Sequence, residues 1–294
     1  MTPKVAVITD SIACLTPEMV REYQVRILPI NLYFGDTVYK DGVDITPTEA
    51  YKLFLKDPKS FKTSAPSPME CLEAYREASK RSKDILCITV SSKLSMTYES
   101  SLLAKETAKT ELPGITIEVL NSGVATAAEG FIALAGARAA AEGKSLAEVI
   151  KAAEEVRDKV STVILLDTMR YVYRSGRIPK VAAQAASILN IKPILTFSSG
   201  LVRFTGAVRS KDYGISQLFK KMRDKVGQNP VHVAVMHAYA QEEAERLKER
   251  VTSEFNCAEL WLSEFSPVMG YACGTGTLGL AFYCDIEEGP DFHG

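Results

Sequence analysis

The feature that most constrains this chain is an alternation: from Val5 onward, short apolar runs of strand length give way repeatedly to segments of helical period. Strands separated by helices can pair in parallel, because each helix carries the chain back across a sheet face. The pattern therefore predicts βα units and a mainly parallel sheet. Val5 to Thr9 is the first run, and Thr16-Pro17-Glu18 opens the helix after it, with Thr as N-cap and Pro at the position whose N–H would be unpaired anyway. Ile27 to Phe34 reads as one strand turning at Gly35-Asp36 into a hairpin. Thr46-Pro47-Thr48-Glu49, Ser67-Pro68-Met69-Glu70 and Ser145-Leu146-Ala147-Glu148 each read as a capping box. Thr63 to Pro66 reads as a loop, and the runs Ile85 to Val90 and Ile115 to Leu120 read as strands. Ala125 to Ala141 reads as an Ala-rich helix that stops at Gly143.

The character changes near Ser161. Val163 to Leu166 is expected as a strand, Thr168 to Tyr173 as a short helix, and Arg174-Ser175-Gly176-Arg177 as a basic turn before a helix through Ile188. Ile191 to Phe197 and Leu201 to Phe204 flank Ser198-Ser199-Gly200 as a hairpin, so antiparallel pairing enters here. A helix from Tyr213 to Val226, a strand Val231 to His237, a charged helix Gln241 to Glu254 and a strand Leu260 to Leu262 follow. The expected fold class is α/β, with two α/β domains: 1–160 around a mainly parallel sheet, and 161–294 around a mixed sheet with a short mobile tail.

Charge and cysteine usage narrow the function classes. Lys and Arg number 35 against 36 Asp and Glu, so no bulk positive field exists to hold a nucleic acid. Asp10 interrupts the first apolar run too early for a signal peptide, and no segment approaches the roughly 20 apolar residues of a membrane span. Cys14, Cys71, Cys87, Cys257, Cys273 and Cys284 are scattered without a Cys-x-x-Cys pair, which reads as reduced thiols in a cytoplasmic protein. His232, His237 and His293 are too dispersed for a metal cluster, and no metal is expected.

Hydroxyls crowd three strand-end turns: Thr63 to Ser67, Ser91 to Thr97, and Asn121-Ser122. In an open α/β sheet, ligands bind beyond the carboxyl ends of the strands. A turn offering OH groups, backbone N–H groups and a positive helix end there suits a carboxylate or phosphate. The same serines also suit helix capping, and the two roles are compatible. Gly274-x-Gly276-x-x-Gly279 looks like a dinucleotide fingerprint, but that motif requires a preceding strand, a following helix and an acidic residue about 20 residues later, whereas here the chain ends soon afterwards, so close backbone approach is the simpler reading. No Walker sequence, Gly-x-Ser-x-Gly elbow or His-Glu-x-x-His occurs, and no residue is assigned as catalytic. Arg174, Arg177, Arg203 and Arg209 suit solvent, a phosphate or an acidic partner surface. His237, ending a strand, reads as a hydrogen-bonded structural residue.

Taken in order, Thr9-Asp10-Ser11, Thr63-Ser64-x-Pro66-Ser67-Pro68, Ser91-Ser92-x-Leu94-Ser95-x-Thr97-Tyr98, Gly176-Arg177-Ile178, Ile191-Lys192-Pro193-Ile194-Leu195, Gly200, Val208-Arg209 and the terminal Gly-rich stretch resemble the DegV family of bacterial fatty acid-binding proteins. The resemblance runs from Lys4 to about Tyr283. It implies one long-chain fatty acid, such as palmitate, stearate or oleate, in a cleft between two α/β domains, and no other cofactor. By the same resemblance Thr63 and Ser95 bind the carboxylate, with Ser64, Ser92 and the backbone N–H of Met96 beside them. A cytosolic fatty acid kinase related to dihydroxyacetone kinase is the implied partner, making acyl phosphate from the presented carboxylate, and Arg177 and Arg209 fall on the kinase-facing rim. Burying a methylene is worth about 0.8 kcal/mol, so a palmitoyl chain gains roughly 10 kcal/mol before ordering costs.

The sequence departs from the family pattern in places. Ala272-Cys273-Gly274-Thr275-Gly276 stands where His-x-Gly-Pro-Gly is usual, Lys93 and Met96 replace glycines, Ser175 replaces the first glycine of a Gly-Gly-Arg run, and Ala65 replaces a common Gln. Met96 is expected to narrow the carboxylate pocket and Lys93 to add charge to it. Two other readings stay open: a lipid-binding sensory or regulatory module without a kinase partner, and a small-molecule phosphotransferase of related architecture.

Overall fold

The computed structural model describes residues 4–168, 171, 176, 177 and 191–285 of the chain. Its first part runs β1 (Val5–Asp10), a 3-10 turn (Ser11–Ala13), α1 (Pro17–Glu22), β2 (Arg26–Leu28), β3 (Asn31–Phe34), β4 (Thr37–Lys40), α2 (Pro47–Lys56), β5 (Phe61–Ser64), α3 (Pro68–Ser79), β6 (Asp84–Thr89), α4 (Thr97–Glu111), β7 (Thr116–Asn121), α5 (Ala127–Ala141) and α6 (Leu146–Lys159). The second part runs β8 (Ser161–Leu165), β9 (Lys192–Ser198), β10 (Leu201–Val208), α7 (Lys211–Val226), β11 (Val231–His237), α8 (Gln241–Glu254), β12 (Cys257–Glu264), α9 (Pro267–Cys273) and β13 (Leu278–Cys284). The expected helix of Thr168 to Tyr173, the residues Arg174 and Ser175, the helix through Ile188 and the tail with His293 lie wholly or mostly outside the described residues.

The first part holds a parallel four-stranded sheet in the order β2-β1-β6-β7, as the βα alternation predicts. A separate antiparallel sheet, β4-β3-β5, stands beside it. The second part is one six-stranded mixed sheet, β10-β9-β8-β13-β11-β12, in which only β11 and β12 pair in parallel. The three capping boxes form at Thr46, Ser67 and Ser145, each supplying two partners to orphan N–H groups at a helix start.

Helix α5 joins the layers. Its Ala-rich sequence leaves almost no side chain exposed, because small residues let sheets approach it on more than one side. Phe131 meets Trp261 and Tyr283 edge-on, with centroids 5.5 and 5.1 Å apart, so a single apolar cluster spans the parallel sheet, α5 and the mixed sheet. Burial of such an aromatic contributes about 1.5–3 kcal/mol.

Three expectations are corrected. The run Ile27 to Phe34 is two strands in two sheets, β2 and β3. Pro29 lies between them, and its lack of an N–H forbids an unbroken ladder there. Thr63 and Ser64 are not loop residues but the end of β5, where Phe61 to Ser64 pairs with Asn31 to Phe34. The short strand at Leu260 to Leu262 extends to Cys257–Glu264 because β11 supplies partners along its length. The Gly-spaced segment has a helix before it and a strand after it, the reverse of a dinucleotide fingerprint. A Cβ on Gly274 would stand 2.3 Å from the Tyr171 ring, and one on Gly276 3.0 Å from Asp167, both at positive φ, so these glycines serve close approach.

Candidate functional site

The carboxyl ends of β1, β5 and β6 point toward one cavity of about 800 Å³, counted out to its open mouth. Its walls are mostly apolar: Ile12 and Val90 come from the ends of β1 and β6, Leu195 and Val202 from the β9–β10 hairpin, and Val268 and Met269 from α9. Thr63, Ser64 and Ser95 bring the hydroxyls. A mostly apolar space with a few hydroxyls on its lining fits a molecule with an apolar part and a small polar head.

The register of β5 separates its two hydroxyls. Thr63 pairs with Leu32 and shares the face of Leu32 and Phe61, whereas Ser64 pairs with Asn31 and shares the opposite face with Asn31 and Tyr33. Ser64 Oγ accepts from Asn31 Nδ2 at 3.4 Å and lies 3.2 Å from the Tyr33 hydroxyl. Ser95 Oγ accepts the Thr97 N–H at 3.3 Å and lies 2.8 Å from Thr97 Oγ1, so it supports the first turn of α4 while lining the cavity. A turn hydrogen bond and cavity lining coincide there, although the N-cap of α4 is Met96.

Other expected residues go elsewhere. Ser92 is bound to Asn121, donating its N–H to Oδ1 at 3.2 Å and accepting from Nδ2 at 2.8 Å, and it is absent from the cavity lining. Met96 is 63% exposed, so its side chain does not narrow the cavity as expected. Lys93 donates to Ser199 O at 2.7 Å, which sends its charge to the β9–β10 turn rather than into the cavity. Arg177 lines the mouth and donates from Nε to Leu94 O at 3.1 Å, while Arg209 is an exposed residue just beyond β10. Ala272 lines the cavity. Cys273 does too, and burial pushes its thiol up to about 12, which keeps it protonated and a poor nucleophile near neutrality. His237 accepts the Ala240 N–H at Nδ1, 3.2 Å, in the structural role read from its strand-end position.

Sequence reasoning missed the buried acids behind the cavity floor. Asp10 accepts the Ile12 N–H on Oδ1 at 3.0 Å and the Val90 N–H on Oδ2 at 2.8 Å, tying two lining residues to one carboxyl group. Burial pushes Asp10 up to about 7 despite those two bonds. Glu129, fully buried and accepting from Thr9 Oγ1 at 3.1 Å, is raised well above the ordinary range by burial and by the Asp10 charge. The pair therefore holds a proton near neutral pH. A lone acid inside Ala127-Ala128-Glu129-Gly130-Phe131 was the available signal, since a helix apolar on all sides buries whatever charge it carries. Among the described residues no group of three or more His, Cys, Asp or Glu is placed to hold a metal ion, and no helix is long and apolar enough to cross a membrane.

Comparison with known proteins agrees across nearly the whole chain. The family model described as "Uncharacterised protein, DegV family" matches residues 4–285. A DegV domain-containing protein of Clostridium acetobutylicum is 30% identical over 284 residues, covering 95% of this chain and 99% of its own. Among solved structures, a fatty acid-binding DegV family protein from Thermus thermophilus superposes with a TM-score of 0.86 at 27% identity, covering 96% of this chain and 99% of its own. A stearic acid-binding protein from Eubacterium ventriosum gives 0.86 at 25% identity, covering 95% and 98%.

Proposed function

The chain belongs to the DegV family, and on that premise we propose that it binds one long-chain fatty acid and is a carrier rather than an enzyme. The observation that carries this reading is the mostly apolar cavity with Thr63, Ser64 and Ser95 on its lining. The acyl chain occupies the apolar part, between an N-terminal domain of residues 1–160 and a C-terminal domain of residues 161–294. The carboxylate, ionised at neutral pH, accepts hydrogen bonds from Thr63 and Ser95 at the start of α4, where the helix end favours an anion. Ser64 and the Met96 N–H complete its surroundings, while the expected Ser92 is held by Asn121 instead. Binding of fatty acids by the Thermus and Eubacterium proteins supports the same ligand class here.

The carrier works in the cytoplasm and presents the carboxylate to a separate fatty acid kinase, with Arg177 and Arg209 on the rim that meets the partner. A second reading, a lipid-responsive module without a kinase, is favoured by one observation: Ala272, on the cavity wall, stands where the family pattern usually has His, so the site lacks that imidazole. Native mass spectrometry of the protein purified from a bacterial host decides the ligand. A bound acid of about 250–285 Da is expected from a cavity that buries one C16 to C18 chain. A protein that arrives empty and ignores added palmitate overturns the proposal.

A further inference from the structure

We infer that Lys40 is a positioning residue for the hydroxyl-bearing stretch Ser64–Ser67, holding it from both ends through Asn31 and Glu70. The ammonium of Lys40 donates to Asn31 Oδ1 at 2.6 Å and pairs with Glu70 Oε1. An ammonium can only donate, so the Asn31 oxygen must face it, and the amide nitrogen is thereby turned toward β5. There Nδ2 reaches Ser64 Oγ and Ala65 O, each at 3.4 Å. On the other flank, Glu70 Oε2 accepts the Ser67 N–H at 2.6 Å, closing the capping box of α3. Two braces thus start from one charge and end three residues apart on the same segment.

The arrangement also sets proton direction. With Asn31 donating to Ser64 Oγ, the serine's own hydrogen is left to seek an acceptor, either the Tyr33 oxygen 3.2 Å away or an anionic head group in the cavity. Without Lys40, the Asn31 amide loses the partner that fixes its orientation, and Glu70 loses the cation that holds it over the helix start. Both ends of the stretch then relax together. Asn31 is buried, while Lys40 and Glu70 are about one-third exposed, so removing the ammonium strands no buried charge.

As a determinant of head-group recognition this rests on the fatty acid reading, and the test separates the two. Lys40→Met keeps the apolar stem and removes the charge; Lys40→Arg restores donors to both partners. Loss of an oriented hydrogen bond to a charged group predicts palmitate affinity about tenfold weaker in Lys40→Met, its methyl ester unchanged within about twofold, and substantial recovery in Lys40→Arg. In ligand-free protein, hydrogen exchange at the Ser67 N–H should quicken about tenfold in Lys40→Met with the rest of α3 unaffected. Equal losses for acid and ester, or no loss for either, overturn the head-group role; unchanged Ser67 exchange overturns the brace. A wild-type protein that binds no palmitate overturns the fatty acid reading alone, while the exchange measurement still decides the part played by Lys40.

Discussion

The stretch Thr63–Ser67 and the turn Ser91–Thr97 carry similar chemistry and are held in different ways. The first is braced inside the N-terminal part, by Asn31, Tyr33 and Glu70. The second is tied to the C-terminal sheet: Ser91 Oγ donates to Gly200 O at 2.7 Å and Lys93 Nζ to Ser199 O at 2.7 Å. Its root is pinned by Asp10, which takes the Val90 N–H. The contrast separates a fixed half of the polar end from a half whose position follows the β9–β10 hairpin. A ligand head group gripped by both would couple the two parts of the molecule.

The largest expected effect tests whether both turns face the ligand at all. Thr63→Ala combined with Ser95→Ala should weaken palmitate about 100-fold, since a hydrogen bond to a charged group is worth about 1.5–3 kcal/mol. Unchanged affinity in a displacement titration removes both residues from the site, and unequal single-variant losses reveal which turn carries the grip. A smaller effect probes the hairpin tie. Gly200 has φ +79°, and an added Cβ would lie 2.9 Å from Ser91 Oγ, so Gly200→Ala should cost about 2 kcal/mol in denaturant unfolding. It should also weaken palmitate while leaving Ser67 exchange untouched; a parallel change at Ser67 would erase the distinction between the turns.

A third effect concerns pH. Burial lifts Asp10 to about 7 from 3.8, so between those values the native state keeps a proton that the unfolded chain releases. Its stabilising contribution is full at low pH and is lost as pH rises through the window. The stability of the wild type relative to Asp10→Asn should therefore fall by up to about 1.4 kcal/mol per pH unit from about pH 4 to 7. A relative rise over that range would show that Asp10 is held as a carboxylate instead.

Much of this was readable from local signals. The strand Val231–His237 and the helix Gln241–Glu254 were expected with the bounds observed, and the three capping boxes and the β9–β10 hairpin formed where turn chemistry placed them. What escaped was long-range. β5 has only four residues and is a strand because Asn31 to Phe34 lies beside it. Asp10 and Glu129 meet across most of the N-terminal part, and Lys93 finds its acceptor 106 residues away. Hydroxyl-rich turns announce themselves in sequence; which of their side chains faces a cavity, and which is spent on Asn121 or Thr97, is set by neighbours that only the fold supplies.

The place of β13 bears on how the chain is built. Leu278–Cys284 follows every other strand of its sheet in sequence, yet lies in the interior, between β8 and β11. Until it is present the sheet exists as two fragments, β10-β9-β8 and β11-β12, each with an open edge. During synthesis the parallel sheet can form early from nearby segments, while the mixed sheet waits for its keystone, pairing Leu278 with Leu165 across a long loop of chain. Chains cut short before residue 278 should therefore be far more prone to edge-to-edge aggregation than their composition suggests.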